Sequence, residues 1–527
     1  IIEVIQNIND TGTISASDIL NNSYEDDSGN AVLNLGQGNT VTIKNISLNQ
    51  IKPEFITITF PYSKLVQGSQ DDDKLIGLEQ QNSRIEGSDD PIDRFEDGSD
   101  ILTGSSGNDL LIGGTNKSPF GGFLVDRYQV FDDSGEDIIY GFYDPYNEDK
   151  TSYNFRSDKI LIPYYVNETD IDSFSDLIAS AELTDDGWIK FNLGQGNNLT
   201  LHNVKNDELF SDNVIFTFDN YLQKEGTSSN DFLYGTDNND WLLGSESFMD
   251  RFQDGYDYLF SGDGNDILEG GENNSSTGGP SVPNNYFISG NGFKTIIGFS
   301  SVTHRDFNPY TKQSIDRIFI QKNSSLNTTS DITFTIDDDG FINLPIDDKT
   351  VVLLHGIKEQ EIISENFIVH DPIDTFVLGT KRNDTLDGTN GNDLIDGYMD
   401  RIISAGCVGY ASGHDVINGG PGNDILIGGP SEHFCGGFNI DTFIFGENSG
   451  IDQILDFTAE WELPGYVDSG KHKDILQIEN EINGLSFSTG IEIINRSSDN
   501  TDGFAEIDLG AGNKVTLIGK KLENITP

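Results

Sequence analysis

The sequence predicts an all-β protein made of tandem modules, each a short parallel β-roll followed by an antiparallel, sandwich-like half rich in strands. Three observations predict this fold. The segment SGNDLLIGG around Asn108 recurs as DGNDILEGG around Asn265 and PGNDILIGG around Asn423, 157 and 158 residues apart. Each module opens with turns rich in Gly, Asn and Asp that alternate with short apolar strands. A strand pattern broken by a glycine pair, as in WIKFNLGQGNNLTL at 188–201, predicts a hairpin.

These repeats divide the chain into a partial unit and three full ones. The predicted segments are 1–67 for a partial module holding only the back half of the unit, 68–225 for module 1, 226–378 for module 2 and 379–527 for module 3. The hairpin pattern occurs at 31–43, 188–201 and 505–517 and, without its glycines, at 341–354. Two interpretations of the incomplete ends stay open. Either a longer chain flanks this segment, or the two ends complement each other between neighbouring molecules.

The charge balance narrows the classes of partner. The 527-residue chain has 88 acidic and 31 basic residues and a net charge of −57. This excludes nucleic acid and anionic membrane surfaces as partners, since both require a basic footprint. No stretch approaches the roughly 18 apolar residues of a membrane span. Self-repulsion of this size opposes folding unless cations neutralise it. Because 10% of the residues are aromatic and 35% hydrophobic, we expect a folded chain that binds divalent cations.

The aspartates of the turns have one constant spacing. They form pairs nine residues apart: Asp100 and Asp109, Asp231 and Asp240, Asp257 and Asp266, Asp384 and Asp393, and Asp415 and Asp424. Solvated turns alone would not impose this period, although Asp-Gly and Asn-Gly are common in turns. In the unit GGPGNDILI at 419–427, six residues suit a tight turn and three a short strand. We predict that the central apolar residue of that strand faces inward, namely Leu111, Leu268, Ile395 and Leu426.

This spacing predicts a metal site between stacked coils. Two nine-residue units complete one coil, and the next coil stacks about 4.8 Å away as a parallel strand. Turn carbonyls and carboxylates of adjacent coils then surround one gap, and oxygen ligands of this kind favour several Ca²⁺ ions over zinc. The predicted metal residues are Asp100, Gly107, Asp109, Asp231, Asp240, Asp257, Gly264, Asp266, Asp384, Gly391, Asp393, Asp415, Gly422 and Asp424. Asp73 lies in a weaker copy of the nine-residue unit. The second copy, at 81–87, lacks the aspartate, so we expect that coil to be poor in calcium.

At these residues the chain resembles the repeats-in-toxin (RTX) family, whose haemolysin-type nonapeptides form calcium-bound parallel β-rolls. The resemblance implies an extracellular bacterial protein that is exported by a type I secretion system and folds where calcium is abundant. It carries calcium ligation over to Asp109, Asp266, Asp393 and Asp424, and turn roles to the four glycines named above. The segment NIDTFIFGENSGIDQILDF at 439–457 is similar to the strand-rich cap that often follows such a roll.

Motifs typical of enzymes do not occur in the sequence. There is no HExxH pair, no GxSxG elbow and no phosphate-binding loop, so we predict that the chain is not an enzyme and has no catalytic residues. The triplet at Asp93–Phe95 and its copies suit structural salt bridges better than a ligand site. The aromatic stretch 140–155 is interpreted as a variable surface loop rather than a sugar platform. Cys407 and Cys435 form a bridge or stay free; the sequence favours neither.

Two functions from different classes follow. The first is a calcium-dependent extracellular structural repeat protein that assembles into a fibre, surface layer or other cell-surface element. Nearest-neighbour stacking and an open head-to-tail contact would generate such an array, so we expect self-association, head-to-tail or lateral, with a surface polysaccharide as a candidate ligand. The alternative is an adhesin stalk, or a secretion and targeting tail of a larger secreted RTX protein or enzyme.

Overall fold

The computed structural model describes most of the chain as two compact units. Unit 1 comprises residues 1–219 with 247–249 and 338–340, and unit 2 comprises 220–246, 250–337 and 341–527. The residues described are all except 1, 7, 11–14, 63, 70–72, 88–98, 114–124, 143–156, 219, 228, 245–255, 271–282, 300–314, 381, 398–399, 405–406, 412, 430–439, 460–472 and 527, and the side chains of 10, 400–404, 407–411 are also left undescribed.

The partial module contains a small core. Its elements are β1 (Ile2–Ile5), α1 (Ala16–Asn21), β2 (Tyr24–Glu25), β3 (Ala31–Asn34), β4 (Thr40–Ile43) and β5 (Ile56–Thr59), with 3₁₀ turns at Ile8–Asp10, Leu48–Gln50 and Pro53–Phe55. Strand β1 pairs in parallel with β5, and β2, β3 and β4 form an antiparallel sheet. Ser15 and Asp18 begin the helix with reciprocal side-chain-to-backbone hydrogen bonds of 3.1 Å, a capping box.

Module 1 has two sheets. Its elements are β6 (Lys64–Gln67), β7 (Lys74–Ile76), β8 (Ser83–Glu86), β9 (Ile101–Thr103), β10 (Leu110–Ile112), β11 (Arg127–Gln129), β12 (Glu136–Tyr140), β13 (Lys159–Pro163), α2 (Phe174–Ala179), β14 (Ala181–Leu183), β15 (Ile189–Asn192), β16 (Asn198–Leu201) and β17 (Val214–Thr217). The first sheet has the order β6-β8-β10-β12-β16-β15-β14, and the second has the order β7-β9-β11-β13-β17.

Module 2 repeats this plan. Its strands are β18 (Leu222–Glu225), β19 (Phe232–Tyr234), β20 (Asp240–Leu243), β21 (Tyr258–Phe260), β22 (Asp266–Glu269), β23 (Asn285–Ile288), β24 (Gly292–Ile297), β25 (Arg317–Gln321), β26 (Thr335–Ile336), β27 (Ile342–Pro345), β28 (Thr350–Leu354) and β29 (Phe367–His370). The first sheet has the order β18-β20-β22-β24-β28-β27-β26, and the second has the order β19-β21-β23-β25-β29.

Module 3 follows the same order with a shorter second sheet. Its elements are β30 (Thr375–Leu378), β31 (Thr385–Asp387), β32 (Asp393–Asp396), β33 (Asp400–Ser404), β34 (Cys407–Ala411), β35 (Val416–Asn418), β36 (Ile425–Ile427), β37 (Thr442–Phe445), β38 (Ile451–Ile454), β39 (Ile475–Ile478), β40 (Glu481–Ile482), β41 (Leu485–Ser486), α3 (Gly490–Ile494), β42 (Ser498–Asp499), β43 (Ala505–Gly510) and β44 (Asn513–Leu517). The first sheet has the order β30-β32-β36-β38-β44-β43-β42, and the second has the order β31-β35-β37-β39.

The predicted fold class, all-β with tandem modules that each contain a parallel roll and antiparallel strands, is confirmed. The two parallel sheets also run on beyond the nonapeptides. In module 1 they continue through β12 and β16 on one side and through β13 and β17 on the other. Within the first sheet of each module, the described antiparallel pairing involves the last three strands, such as β14, β15 and β16. Module 3 has two further antiparallel pairs, β33 with β34 and β40 with β41. The four predicted hairpins are all present.

The glycine pair of the hairpin has a backbone cause. At 194–196 the residues Gly, Gln and Gly have φ of 83°, 51° and 89°. The same run of three left-handed residues recurs at 36–38 and 510–512. Because a residue without a Cβ enters this region without steric cost, glycine on both sides of the centre suits the turn. The hairpin at 341–354 reverses through Asp347 and Asp348, and Asp347 Oδ1 accepts the N–H groups of Lys349 and Thr350 at 2.8 Å.

The core lies between the two sheets of each module. Leu111, Leu268, Ile395 and Leu426 are all completely buried, so the prediction that these side chains face inward is confirmed. In module 1, Leu111 of the first sheet and Leu102 of the second sheet lie in one buried cluster.

Several sequence predictions concern residues outside this description. The first two DRF triplets, most of the aromatic stretch 140–155 and Cys435 lie outside the described residues, and the side chains of Arg401 and Cys407 are not described. The module boundaries stay a prediction. In the structure β6, β18 and β30, which end at 67, 225 and 378, pair with strands of the module that follows. Among the described residues, no helix is long and apolar enough to cross a membrane.

Candidate calcium-binding ladders

The predicted aspartates lie in continuous ladders along the two sheets of each roll. In module 3, one carboxylate oxygen of Asp415 accepts the backbone N–H of Asp384, one coil earlier, at 2.8 Å. Asp424 accepts the N–H of Asp393 in the same way on the other sheet, also at 2.8 Å. Each rung therefore fixes the backbone of the preceding coil through a charge-assisted hydrogen bond.

Modules 1 and 2 have the same rungs. The N–H of Asp231 donates to Asp257 and that of Asp240 donates to Asp266, both at 2.9 Å. In module 1 the N–H of Asp73 donates to Asp100 at 2.9 Å, and Ser83, in the coil without an aspartate, donates its N–H to Asp109 at 2.5 Å. The structure thus brings the ten predicted aspartates into six ladders, two for each module. Within a predicted pair, the two members lie on opposite sheets.

A second carboxylate oxygen is held within the turn in the opening coils. Asp393 Oδ2 accepts the N–H of Thr389 at 2.5 Å and its hydroxyl at 3.0 Å. A Ser or Thr four residues before the aspartate repeats this contact at several turns, namely Ser105, Thr227, Thr236 and Thr380. Sequence reasoning missed these hydroxyls, although their constant offset of four residues was a readable signal.

In the later coils of module 3 the second oxygen has no such donor. Asp415, Asp424 and Asp441 are at most 1% exposed, and among the described residues the Oδ2 atom of each has no hydrogen-bond partner. Burial raises the pKa of Asp415 and of Asp424 to about 7. Burial, with the charge of Asp474 second, raises the pKa of Asp441 to about 9. These groups are costly to ionise unless a cation compensates them.

The turn glycines are required by close approaches within a turn and between stacked coils. A Cβ on Gly419 would lie 2.3 Å from Asp424 Oδ2, and one on Gly428 would lie 2.5 Å from Asp441 Oδ2. The four predicted glycines face the coil beneath them. A Cβ there would lie 2.2 Å from a carbonyl oxygen for Gly107 and Gly422, 2.3 Å for Gly264, and 2.5 Å from the Asp374 carboxylate for Gly391.

The ladders extend beyond the nonapeptides, and sequence reasoning missed this part. Further rungs lie in the second half of each module: Asp126, Asp137, Asp158, Asp316, Asp441, Asp452 and Asp474. Most of them immediately precede a strand that recurs among the modules, as in DKILI, DRIFI and DILQI, and Asp137 and Asp452 are the second residues of β12 and β38. That position was the available signal, since the nine-residue period ends with the roll.

The donor set fits a hard cation. In the part of the chain that the structure describes, no three His, Cys, Asp or Glu side chains converge as a metal cluster. A cation here would instead take carboxylate oxygens such as those of Asp415 and Asp424 and complete its shell with turn carbonyls. Such all-oxygen sets suit Ca²⁺. The ion would supply the positive charge that the buried, unpartnered oxygens lack.

Comparison with known proteins identifies the repeat type. A sequence profile of the RTX calcium-binding nonapeptide repeat, four copies long, matches residues 96–116, 225–247, 253–276, 376–400 and 411–431. The chain contains RTX calcium-binding repeats. The predicted resemblance is therefore confirmed, and all fourteen predicted metal residues lie within the matched segments. The later rungs, such as Asp126 and Asp452, lie outside these segments.

Other comparisons add little. Among solved structures, the chain is similar to the extracellular lipase LipA from Serratia marcescens at 13% sequence identity and a TM-score of 0.15. The alignment covers 81% of this chain and 61% of the lipase chain, so this chain spans less than two thirds of the length of that relative. No curated protein matches the chain.

Proposed function

We propose that this chain is an extracellular structural protein whose RTX modules fold around calcium and associate end to end into a fibre, surface layer or similar element. The RTX repeats support calcium binding, and proteins with such repeats are typically secreted. The observation that carries the assembly is a contact between successive modules that recurs within both units of the structure. We propose further that the chain is not an enzyme.

In unit 1 the partial module packs against module 1. Trp188 of module 1 joins the core cluster that contains Val4 and other residues of the partial module. Asp186, next to it, accepts the N–H groups of Ala16 and Ser17 at 2.8 and 2.9 Å, at the start of α1. A carboxylate at this end of a helix satisfies backbone N–H groups that have no partner within the helix.

In unit 2 the second sheet of module 2 packs against the first sheet of module 3. Phe319 and Ile368 share one buried cluster with Leu394, Phe504 and Ile518. The rings of this face are stacked, with centroids 4.5 Å apart for Phe232 and Tyr258, 4.5 Å for Phe260 and Phe287, and 4.2 Å for Phe287 and Phe319. Apolar and aromatic burial of this kind stabilises a contact between domains.

The two contacts use equivalent positions. Trp188 and Phe504 both begin the recurring hairpin, and His202 and Ile518 both follow its second strand. In unit 1, His202 Nε2 lies 3.3 Å from the hydroxyl of Thr57, which holds the place in β5 that Ile368 holds in β29. A tandem array can be extended when the same contact recurs between successive modules.

Module 3 also presents an open strand edge beside an apolar cleft. Among the described residues β39 pairs only with β37, whereas β13 and β25 also pair with β17 and β29. In module 1, Val214 and Phe216 of β17 are buried in the core. In module 3 the corresponding side contains a cleft of about 590 Å³, lined by residues that include Ile475, Phe487 and Ile507. We propose that β1 of a second copy, which pairs only with β5 among the described residues, adds to this edge.

The test is the mass of the chain in solution as calcium is added. We expect multi-angle light scattering to show growth in millimolar calcium and return to the monomer with a chelator. Ile475→Lys, at a half-exposed position in the cleft, should remain monomeric. Ile336→Lys is the matched control, since Ile336 is similarly exposed on an edge strand of module 2, and it should assemble normally. A wild-type monomer at every concentration in calcium would contradict the assembly and leave the adhesin stalk or secretion tail.

A further inference from the structure

One rung of module 2 contains a lysine where modules 1 and 3 contain aspartates. In the pairing of β22 with β24, Asp266 lies beside Lys294. At the same place in the other modules, the N–H of Asp109 donates to Asp137 and the N–H of Asp424 donates to Asp452. The first sheet of module 2 therefore exchanges a buried anion for a buried cation.

The Lys294 ammonium lies inside a cage of oxygens. Its Nζ donates to the carbonyls of Gly262 at 2.8 Å, Gly264 at 2.6 Å and Asn291 at 3.1 Å, and to Asp266 Oδ2 at 2.7 Å. The side chains of Lys294 and Asp266 are both completely buried. Four oxygens around one buried positive charge are the surroundings expected of a bound cation.

In module 3, the described residues place no cationic side chain in the same cage. Gly420, Gly422 and Ser449 occupy the sequence positions that correspond to Gly262, Gly264 and Asn291. There, Asp424 Oδ2 and Ser449 Oγ are buried and have no hydrogen-bond partner in the part of the chain that the structure describes. The groups that surround the ammonium in module 2 thus recur in module 3 with an additional carboxylate and no internal positive charge.

The second sheet of module 2 shows a parallel exchange. Asn284 replaces the aspartate found at Asp126 and Asp441, and its Oδ1 still accepts the N–H of Asp257 at 3.1 Å. Its Nδ2 donates to the carbonyl of Gly270 at 2.7 Å. In module 3, Asp441 Oδ2 lies beside the equivalent Gly428 and has no hydrogen-bond partner within the described ranges. An amide donor thus satisfies a carbonyl where a carboxylate would need an external cation.

We infer that the Lys294 ammonium takes the place of a calcium ion, so that this level of module 2 is assembled without metal while the corresponding levels of modules 1 and 3 require it. The inference rests on the proposed calcium ladders and deepens them. It assigns calcium to the Asp109–Asp137 and Asp424–Asp452 rungs and excludes it from the Asp266–Lys294 rung.

The experiment exchanges the two kinds of rung in the full chain. Lys294→Asp should bind one calcium ion more than wild type by native mass spectrometry. Lys294→Met is the matched control, because it removes the ammonium without supplying a carboxylate, and it should gain no ion. Circular dichroism in calcium shows that each variant is folded. A folded Lys294→Asp variant with the wild-type number of ions would overturn the inference.

The reverse exchange keeps the test decisive if Lys294→Asp does not fold. Asp452→Lys should bind one ion fewer than wild type and unfold at a higher temperature than wild type in chelator. An unchanged ion count in folded Asp452→Lys would overturn the inference by itself. A wild-type chain that binds no calcium would instead overturn the calcium ladders, and the two failures are thereby distinguished.

Discussion

At the residue scale, the two oxygens of a ladder aspartate have different roles. One oxygen accepts the N–H of the preceding rung, as in the 2.8 Å bond from Asp393 to Asp424. In the opening coils a Ser or Thr holds the other oxygen, whereas Asp424 Oδ2 is buried and has no hydrogen-bond partner among the described residues. Glycine at 419 makes room for this oxygen, since a Cβ would lie 2.3 Å from it. The side chain thus orders the backbone and leaves one charged oxygen for a cation.

Asp424→Asn tests this division. The amide keeps an oxygen for the N–H of Asp393 but loses the charge, so we expect the calcium-bound protein to lose about 1–3 kcal/mol of unfolding free energy. In chelator the variant should be as stable as wild type or more so, because a buried charge is gone. Asp348→Asn, at an exposed turn, is the control and should change neither value. An equal loss under both conditions, measured by denaturant unfolding, would contradict the cation role.

The raised pKa values predict an unusual pH dependence for the calcium-free protein. Burial raises the pKa of Asp415 and Asp424 to about 7 and that of Asp441 and Asp452 to about 9, above the usual value of 3.8. The folded state then binds more protons than the unfolded state, so stability falls as the pH rises from about 4 to about 9. In saturating calcium, protons compete with the ion and the slope should reverse. Thermal unfolding across this range checks both signs; a midpoint that rises with pH in chelator would contradict them.

At the element scale, the repeating element is a coil of the roll. Its turns are constrained by close contact with the coils stacked on either side. The backbone of Gly422 has φ of 150°, and a Cβ there would lie 2.2 Å from the carbonyl oxygen of Gly391 in the coil beneath. The hairpin glycine Gly512 also has a left-handed φ, of 88°, but a Cβ there would meet nothing within 4 Å. Substitution of Gly422 therefore affects both the contact between coils and the backbone conformation, whereas substitution of Gly512 affects the backbone conformation alone.

Alanine at these two positions should give different losses. Gly512→Ala should cost about 1 kcal/mol, because only the left-handed conformation is penalised. Gly422→Ala adds a clash with a backbone carbonyl and should cost about 3 kcal/mol. Denaturant unfolding in calcium measures both. Equal losses would mean that the coils are not packed as closely as the structure shows.

Sequence reasoning predicted the elements that have a constant period. The turn aspartates and the inward-facing residues such as Leu426 follow from the nine-residue repeat, and the hairpins follow from their glycine pairs. The rungs at Asp126 and Asp452 were missed because the nine-residue spacing ends with the roll: Asp126 and Asp137 are 11 residues apart, as are Asp441 and Asp452. Lys294 was missed because its role depends on carbonyls about 30 residues earlier in the chain.

At the scale of the whole molecule, the net charge of −57 is distributed over repeated units that each bury several carboxylates. A single large core could not hold so many acids, but an array of small ladders lets each level be neutralised separately. Within unit 2, the cluster around Phe319 and Phe504 connects one module to the next. Stability in such an array is a sum of unit and neighbour contributions, so calcium would govern folding and assembly together.

The most direct test of this account is a calcium titration of the chelator-treated chain followed by far-UV circular dichroism, with magnesium as the control ion. The account predicts a gain of β signal with calcium, reversed by chelator and absent with magnesium, because the larger ion accepts the irregular oxygen cages of the turns. A chain that shows the same spectrum with calcium, with magnesium and with chelator would contradict the claim that the ladders fold around calcium.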